Sequence, residues 1–353
     1  MNRSANLSEQ IYCVDLAKNK FQVHAFSPGG ECLQRLTLSR GKFDAFFKNA
    51  AHAGAWVVME ACASGHYWSR CFQARGYRTK LVPAQFVARQ RIGNKTDGND
   101  ADAIFAVHRD PRVRPVPVKS PEQQDLCALH RVRELLVRQR TQYINQARGL
   151  LAERGCVAAR GEGGMAHLLA QIARSTSADI TPPLAELIQL LAAQIHALNA
   201  QIGGLETRLQ DALAHSAVAQ RVDSIFGVGT LTATAFAAEY DANLARFADA
   251  RQFAASLGVT PSEDSSGERR RLGAITRRGN PYLRKLLVQC AQVILMHAAT
   301  RQDALCVFAR RLMERHKRRH TVIVALANRL ARIIYAVIKH DTDYHPHGRA
   351  QPV

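Results

Sequence analysis

The stretch IYCVDLAKNKFQVHAF, residues 11–26, decides how the first third of the chain is read. IYCVDLA is a short apolar, β-rich run that carries one acid, Asp15. Lys18-Asn19-Lys20 interrupts it. Phe21, Val23 and Ala25 then alternate with Gln22, His24 and Phe26, the period of a partly buried strand. Gly29-Gly30 supplies a turn, and ECLQRLTL continues as a third strand, so the run predicts a three-strand meander.

Working outward, a helix fits from about Lys42 to Ala53, followed by the strand AWVVME. A second helix around Tyr67 to Arg75 leads into the strand TKLVP. RIGNKTDGNDADAIFAVHR then begins polar and turns helical in its latter half. The predicted order is three antiparallel strands, helix, strand, helix, strand, helix, as in ribonuclease H-like α/β folds.

Pro111, Pro115, Pro117 and Pro121 punctuate a linker. A long helix follows from about Pro121 to Glu153, with Pro at its first position and Arg131, Arg133, Arg138, Arg140 and Arg148 along it. Another starts after Pro182-Pro183. Its residues Leu184, Leu187, Leu191, Leu198, Ile202, Leu205 and Leu209 advance mostly by three or four, a coiled-coil-like seam that suits either the first helix or a second subunit. From about Ser224 onward the chain reads as helical apart from an irregular loop at 258–281. The final HPHGRAQPV reads as disordered.

The chain has 353 residues, with 48 Lys+Arg against 29 Asp+Glu and a formal charge of +19. That length suggests two or three domains. An apolar share of 47% excludes overall disorder. The charge points to a polyanionic partner, and residues 268–332 alone hold 16 Lys+Arg against 3 acids. Eight cysteines without a C-x-x-C pair argue against a zinc site or a disulfide framework. No apolar run reaches membrane-spanning length and the N-terminus has no signal-peptide core, so a soluble cytoplasmic protein is expected.

Carboxylates carry the chemistry of the α/β segment. Asp15 and Glu60 each end a predicted strand, where a sheet presents side chains to a shared cleft. Asp97 and Asp100, three residues apart at a helix start, lie about 60° from each other on one face. Asp102 lies about 140° and 160° from them, so it is set aside as a ligand. Helix capping is the plainer role for any one of these acids. Four together suit divalent cations, which take oxygen ligands and offset phosphate charge.

VDLAKNKFQVHAF, VVMEACASGHYW and NKTDGNDADAIFAV resemble the three blocks of the DEDD transposases of bacterial insertion sequences, proteins with a RuvC-like catalytic domain. The pattern Lys95-Thr96-Asp97-Gly98-Asn99-Asp100-Ala101 is among them. The resemblance implies that Asp15, Glu60, Asp97 and Asp100 form a tetrad binding Mg²⁺. It extends to IFGVGTLTATAFAAE, whose Gly227-Val228-Gly229 is similar to a helix-hairpin-helix turn, and to the region around PSEDSSGERRRLG. There Ser265, Ser266 and Gly267 directly precede Arg269, Arg270 and Arg271. A serine attacking a phosphodiester needs cations close by, although by residue type alone a Ser-Ser-Gly stretch reads as a turn. The resemblance puts the nucleophile at Ser266, with Ser265 as the fallback. Arg277, Arg278, Arg284 and Lys285 would then contact phosphates of DNA or guide RNA. RRLMERHKRRH, Arg310 to His320, is a further basic cluster.

On this resemblance the expected organisation is a RuvC-like DEDD domain at 1–110, a linker and helical coiled-coil region at 111–220, a mainly helical C-terminal transposase domain at 221–341 and a disordered tail at 342–353. The implied function is RNA-guided cutting and rejoining of donor and target DNA. A bridge or seeker RNA would select the sites, and a homo-oligomer, dimer to tetramer, would act at the bacterial nucleoid. Three rivals are weighed: a metal-dependent Holliday-junction-type endonuclease, an actin-like sugar kinase and a non-catalytic RNA chaperone. The kinase is discounted because no second Gly-rich nucleotide-binding block follows.

Overall fold

The computed structural model describes residues 9–49, 53–91, 97–157, 180–241, 244–266, 271–315 and 318–346, with a few isolated positions between 159 and 170. The chain divides into two compact units, Met1–Pro121 and Glu122–Val353.

The first unit is built on a five-stranded mixed sheet in the order β3-β2-β1-β4-β5. The strands are β1 (Ile11–Asp15), β2 (Lys20–Phe26), β3 (Cys32–Ser39), β4 (Trp56–Glu60) and β5 (Arg78–Val82). The meander β1-β2-β3 is antiparallel, while β4 lies parallel to both β1 and β5. Helices α1 (Arg40–Phe46), α2 (Gly65–Ala74), α3 (Ala84–Gln90) and α4 (Asp97–Arg109) complete the unit. The first helix ends well short of the expected Ala53, and the seven-residue α3 adds a helix to the expected order.

Strand alternation sorts the sheet into two apolar faces. Tyr12, Val14, Phe21, Val23, Val57 and Met59 pack with Phe43, Phe47, Trp68 and Phe72 from the region of α1 and α2. Phe21 stacks on Phe43 at 4.4 Å, and the Trp68 ring meets Phe43 edge-on at 4.9 Å. On the opposite face Cys13, Phe26, Val58 and Val82 pack with Val87 of α3 and with Ala103, Ile104 and Val107 of α4. The proline-rich linker runs along the sheet edge, where the Val116 N–H donates to the Leu81 carbonyl at 2.7 Å.

The second unit is mainly helical. Long helices α5 (Pro121–Ala152) and α6 (Pro182–Ala214) pair through Ile144, Ala147, Leu151, Leu184, Ile188 and Ile195. Two polar bridges confirm an antiparallel pairing. Arg133 donates to Glu206, and seven residues further along α5 Arg140 donates to Asn199, seven residues back along α6. The buried positions of α6 are Leu184, Ile188, Ile195, Leu198, Ile202 and Leu209. Ile188 therefore takes the place expected for Leu187, which is 52% exposed.

Beyond them lie α7 (Ala217–Asp223), α8 (Thr230–Tyr240), α9 (Ala250–Ser256), α10 (Pro281–Met296), α11 (Ala304–Arg315) and α12 (Arg319–His340). Among the described residues α12 alone is long and apolar enough to cross a membrane. Its Val322, Ile323, Leu326, Leu330, Ile334 and Tyr335 are instead buried in the core of this unit. The loop expected at 258–281 contains a two-stranded antiparallel hairpin, β6 (Pro261–Glu263) with β7 (Leu272–Ile275). The expected disordered tail begins with residues that pack: the Tyr344 hydroxyl donates to Asp303 at 3.0 Å and the Pro346 carbonyl accepts from the Ala304 N–H at 2.7 Å. Residues 347–353 lie outside the described residues.

Candidate active site

Asp15 and Glu60 are the last residues of β1 and β4. These strands are parallel neighbours whose register pairs Val14 with Met59, so one step further Asp15 stands beside Glu60. Adjacent strands lie about 4.8 Å apart. By alternation both acids share the sheet face of Cys13 and Val58, which α4 covers. Both are half-buried.

Helix α4 brings Asp100, 8% exposed, to this face. Its carboxylate is bound by the Nε of Arg91, just beyond α3. Asp97 opens α4 in the backbone, but its side chain, like Lys95 and Thr96, lies outside the described residues. Asp102 has other work. His24, buried on β2, meets it through Nδ1 at 2.8 Å, and Arg35 of β3 donates to its other oxygen at 3.0 Å. These contacts clasp the start of α4 to the meander. Cys13, opposite His24 in register, has its thiol pushed well up by burial and then by the Asp102 charge.

Sequence reading missed both Arg91 and the His24–Asp102–Arg35 clasp. The available signal was the inward phase of His24 on its strand, which demands a polar partner.

The donor set of Asp15, Glu60, Asp97 and Asp100 offers carboxylate oxygens throughout, the ligands that hard divalent cations take. Among the described residues no three His, Cys, Asp or Glu side chains are gathered closely enough to hold a metal ion. With Arg91 on Asp100, a cation bound there would have to displace a guanidinium.

The serine region lies on the β6–β7 hairpin. The Asp264 N–H donates to the Arg271 carbonyl at 3.0 Å. Ser265 is held on both sides: its hydroxyl donates to Glu263 at 3.0 Å and its oxygen accepts from the Arg271 N–H at 3.1 Å. Ser266 is exposed, and its hydroxyl has no partner among the described residues. Gly267, Arg269 and Arg270 lie outside the described residues.

Arg271, Arg277 and Arg278 are exposed. Arg284 donates to the Leu257 carbonyl at 3.1 Å and the Arg278 carbonyl at 2.7 Å, and burial lowers its pKa. Lys285 is paired with Glu134 at 2.7 Å.

The hairpin base is pinned where two backbones cross. Gly258 and Gly279 both have positive φ, and a Cβ on Gly279 would lie 1.9 Å from the Ser256 carbonyl oxygen. Only glycine fits such an approach.

Residues 219–319 match the model described as Transposase IS116/IS110/IS902 family, and residues 13–154 match a DEDD-type model described as Transposase. DEDD-type transposase domains usually use divalent metal ions. The chain is 38% identical to a Pseudomonas aeruginosa protein named "Probable family 20 transposase", over 94% of this chain and 98% of that one. It is 34% identical to the Coxiella burnetii transposase for insertion sequence element IS1111A, over 95% and 91% of the two chains. It is also 34% identical to the Yersinia enterocolitica transposase for insertion sequence element IS1328, over 93% and 96%. With both of its units matched and relatives aligned along nearly its whole length, the chain belongs to the IS110 family of DEDD transposases, DNA-cleaving and joining enzymes of bacterial insertion elements.

Proposed function

We propose that this transposase cuts and rejoins donor and target DNA through two sets of groups, a RuvC-like acidic site in the first unit and a serine nucleophile in the second. The observation that carries the acidic site is the side-by-side placement of Asp15 and Glu60 on parallel strand ends, facing the helix that bears Asp100. The strand order β3-β2-β1-β4-β5 supports the ribonuclease H-like reading. Asp15, Glu60, Asp97 and Asp100 would hold Mg²⁺. When bound, the ion supplies positive charge that orients and polarises the scissile phosphate.

Ser266 is the nucleophile in this scheme, and what favours it over Ser265 is the engagement of the Ser265 hydroxyl within the hairpin. Attack forms a bond between the Ser266 oxygen and phosphorus, and one strand oxygen leaves carrying the proton the serine loses. One phosphoester replaces another, so the bond is conserved for rejoining. Arg269, Arg270, Arg271, Arg277 and Arg278 would hold backbone phosphates, and Arg284 and Lys285 extend that face while bracing the loop and α5. An element-encoded bridge or seeker RNA selects both DNA sites by base pairing, consistent with a charge of +19. A dimer to tetramer brings the acids and Ser266 to the same DNA, in the bacterial cytoplasm at the nucleoid.

The test is a recombination assay with purified protein, its co-purified RNA, Mg²⁺ and labelled duplexes, stopped with denaturant and run on a protein gel. A DNA-linked protein band that needs RNA and Mg²⁺ and vanishes in Ser266→Ala is the expected result. Cleavage with no adduct would replace the serine scheme with hydrolysis by water. An adduct that persists in Ser266→Ala would move the nucleophile elsewhere.

A further inference from the structure

A second cleft, built wholly within the second unit, belongs to neither set of groups. It encloses about 350 Å³ between α5, α8 and the start of α10, a volume within the range of small-ligand sites. Its interior is preorganised by a chain of hydrogen bonds. The Thr234 hydroxyl donates to the Thr230 carbonyl at 2.6 Å, so it accepts from His130 Nε2–H at 3.1 Å. That fixes the tautomer: Nδ1 of His130 is the lone-pair nitrogen and accepts from the Tyr282 hydroxyl at 3.0 Å. His130 is 3% exposed. Burial, followed by the nearby Arg133 charge, lowers its pKa to about 4 and keeps it neutral. The Tyr282 ring is thereby held in one position at the cleft wall.

The remaining charge is positive by one. Glu134 is paired with Lys285, whereas Glu239, which accepts from the Cys127 thiol at 3.8 Å, keeps its negative charge against two arginines. Asn280 uses its carbonyl oxygen to cap α10 through the Tyr282 and Leu283 N–H groups, which leaves its amide NH₂ without a partner among the described residues. Arg131 and Arg138 are exposed at the cleft and likewise have no partner among the described residues. They stand seven residues apart on α5, about 10 Å along its axis. The cleft therefore offers donors and positive charge around a fixed aromatic wall. A phosphate-bearing, flat, partly apolar group complements that combination. A protein that acts on DNA meets such a group as an unpaired nucleotide.

We infer that this cleft captures a single unpaired nucleotide of a bound nucleic acid, its phosphates on Arg131 and Arg138 and its base against Tyr282. The site rests on the transposase reading only in that nucleic acid is the partner. It takes no part in the serine or acid chemistry. Extrahelical bases are commonly held in this way, between an aromatic face and guanidinium groups.

The test uses the full-length protein and three probes: a fully paired duplex, the same DNA duplex with one bulged nucleotide, and an RNA duplex with the same bulge. The expected result is roughly tenfold tighter binding of a bulged probe than of the paired one, the effect of one stacked base. That ratio should fall to one in Ala235→Leu, which fills the cleft, and in the surface double variant Arg131→Ala/Arg138→Ala, which leaves the core untouched. The DNA and RNA arms tell which strand supplies the nucleotide. Equal affinity for bulged and paired probes overturns the cleft and leaves the transposase reading standing. A bulge preference that survives the double arginine variant also overturns it. Absence of binding to any of the probes overturns the cleft together with the reading of the basic face as a nucleic-acid surface, and leaves the family assignment standing.

Discussion

In the first unit the candidate acids close strands whose other residues are buried in the core or packed against it, whereas in the second the candidate serine rides a hairpin with every described residue from Pro261 to Ser266 exposed. Asp15 follows four buried residues, and its placement is set by sheet register and by α4. Ser266 has no such support. Its position depends on a short ladder, on Ser265 and on a backbone crossing at Gly258 and Gly279. The acids are thus held by the fold as a whole, the serine by a few local contacts. A lesion should accordingly act differently in the two places.

The largest effects separate the two sites by what survives. Asp15→Asn should lower strand cleavage by roughly 1,000-fold while the melting profile stays unchanged. Ser266→Ala should abolish the covalent adduct. Ser265→Ala should keep the adduct, with a loss of about tenfold, because it loosens the hairpin without removing the attacking oxygen. Equal loss in both serine variants would dissolve the distinction between them.

Next in size is the hairpin base. Gly279→Ala places a methyl against the Ser256 carbonyl and should destabilise the second unit by roughly 3 kcal/mol or more. Calorimetry that finds no shift would mean that the crossing relaxes freely.

Acid sensitivity provides a comparison between the units themselves. His108 in the first and His130 in the second both have pKa values lowered to about 4, chiefly by burial. Each is neutral when folded and takes up its proton in the unfolded chain near 6.5. Their contribution is full above pH 6.5 and is lost as the pH falls from there towards 4. For His130 the loss approaches about 3 kcal/mol. His130→Gln should flatten the pH dependence of the second unit only, and His108→Gln that of the first only. Denaturant titrations from pH 7 to pH 4 would resolve the two.

The smallest contrast lies on α6. Ile188→Val should cost about 1 kcal/mol, and Leu187→Ala about 0.5 kcal/mol or less, since only Ile188 is in the seam. A larger effect at Leu187 that grows with protein concentration would place a second copy against it.

Much of this architecture is legible in the chain because it is written in local patterns. The strand alternation of Phe21, Val23 and Ala25, the acids closing β1 and β4, and the prolines opening α5 and α6 are all short-range signals. What escaped is what depends on distant partners. AQFVARQ is too short to announce a helix by periodicity. Leu187 and Ile188 are both apolar, and only the facing helix, with Ile144, Ala147 and Leu151, decides which one is buried. The strands of the serine hairpin are short and largely polar, and pairing rather than composition makes them strands. Likewise Asp102 could be set aside by angle, but its engagement by His24, 78 residues away, needs the fold.

The parallel pairing of β1 with β4 has a consequence for incomplete proteins. Ile11 lies beside Trp56, and the strand that flanks β4 on its far side is not complete until Val82. A chain broken off before β4 therefore carries Asp15 without its neighbour, and a chain restarted after β1 carries Glu60 without its own. A fragment of either kind would lack the pair of acids proposed to hold the metal ion. Splitting the acids between strands so far apart in sequence thus ties the proposed metal site to a nearly complete first unit.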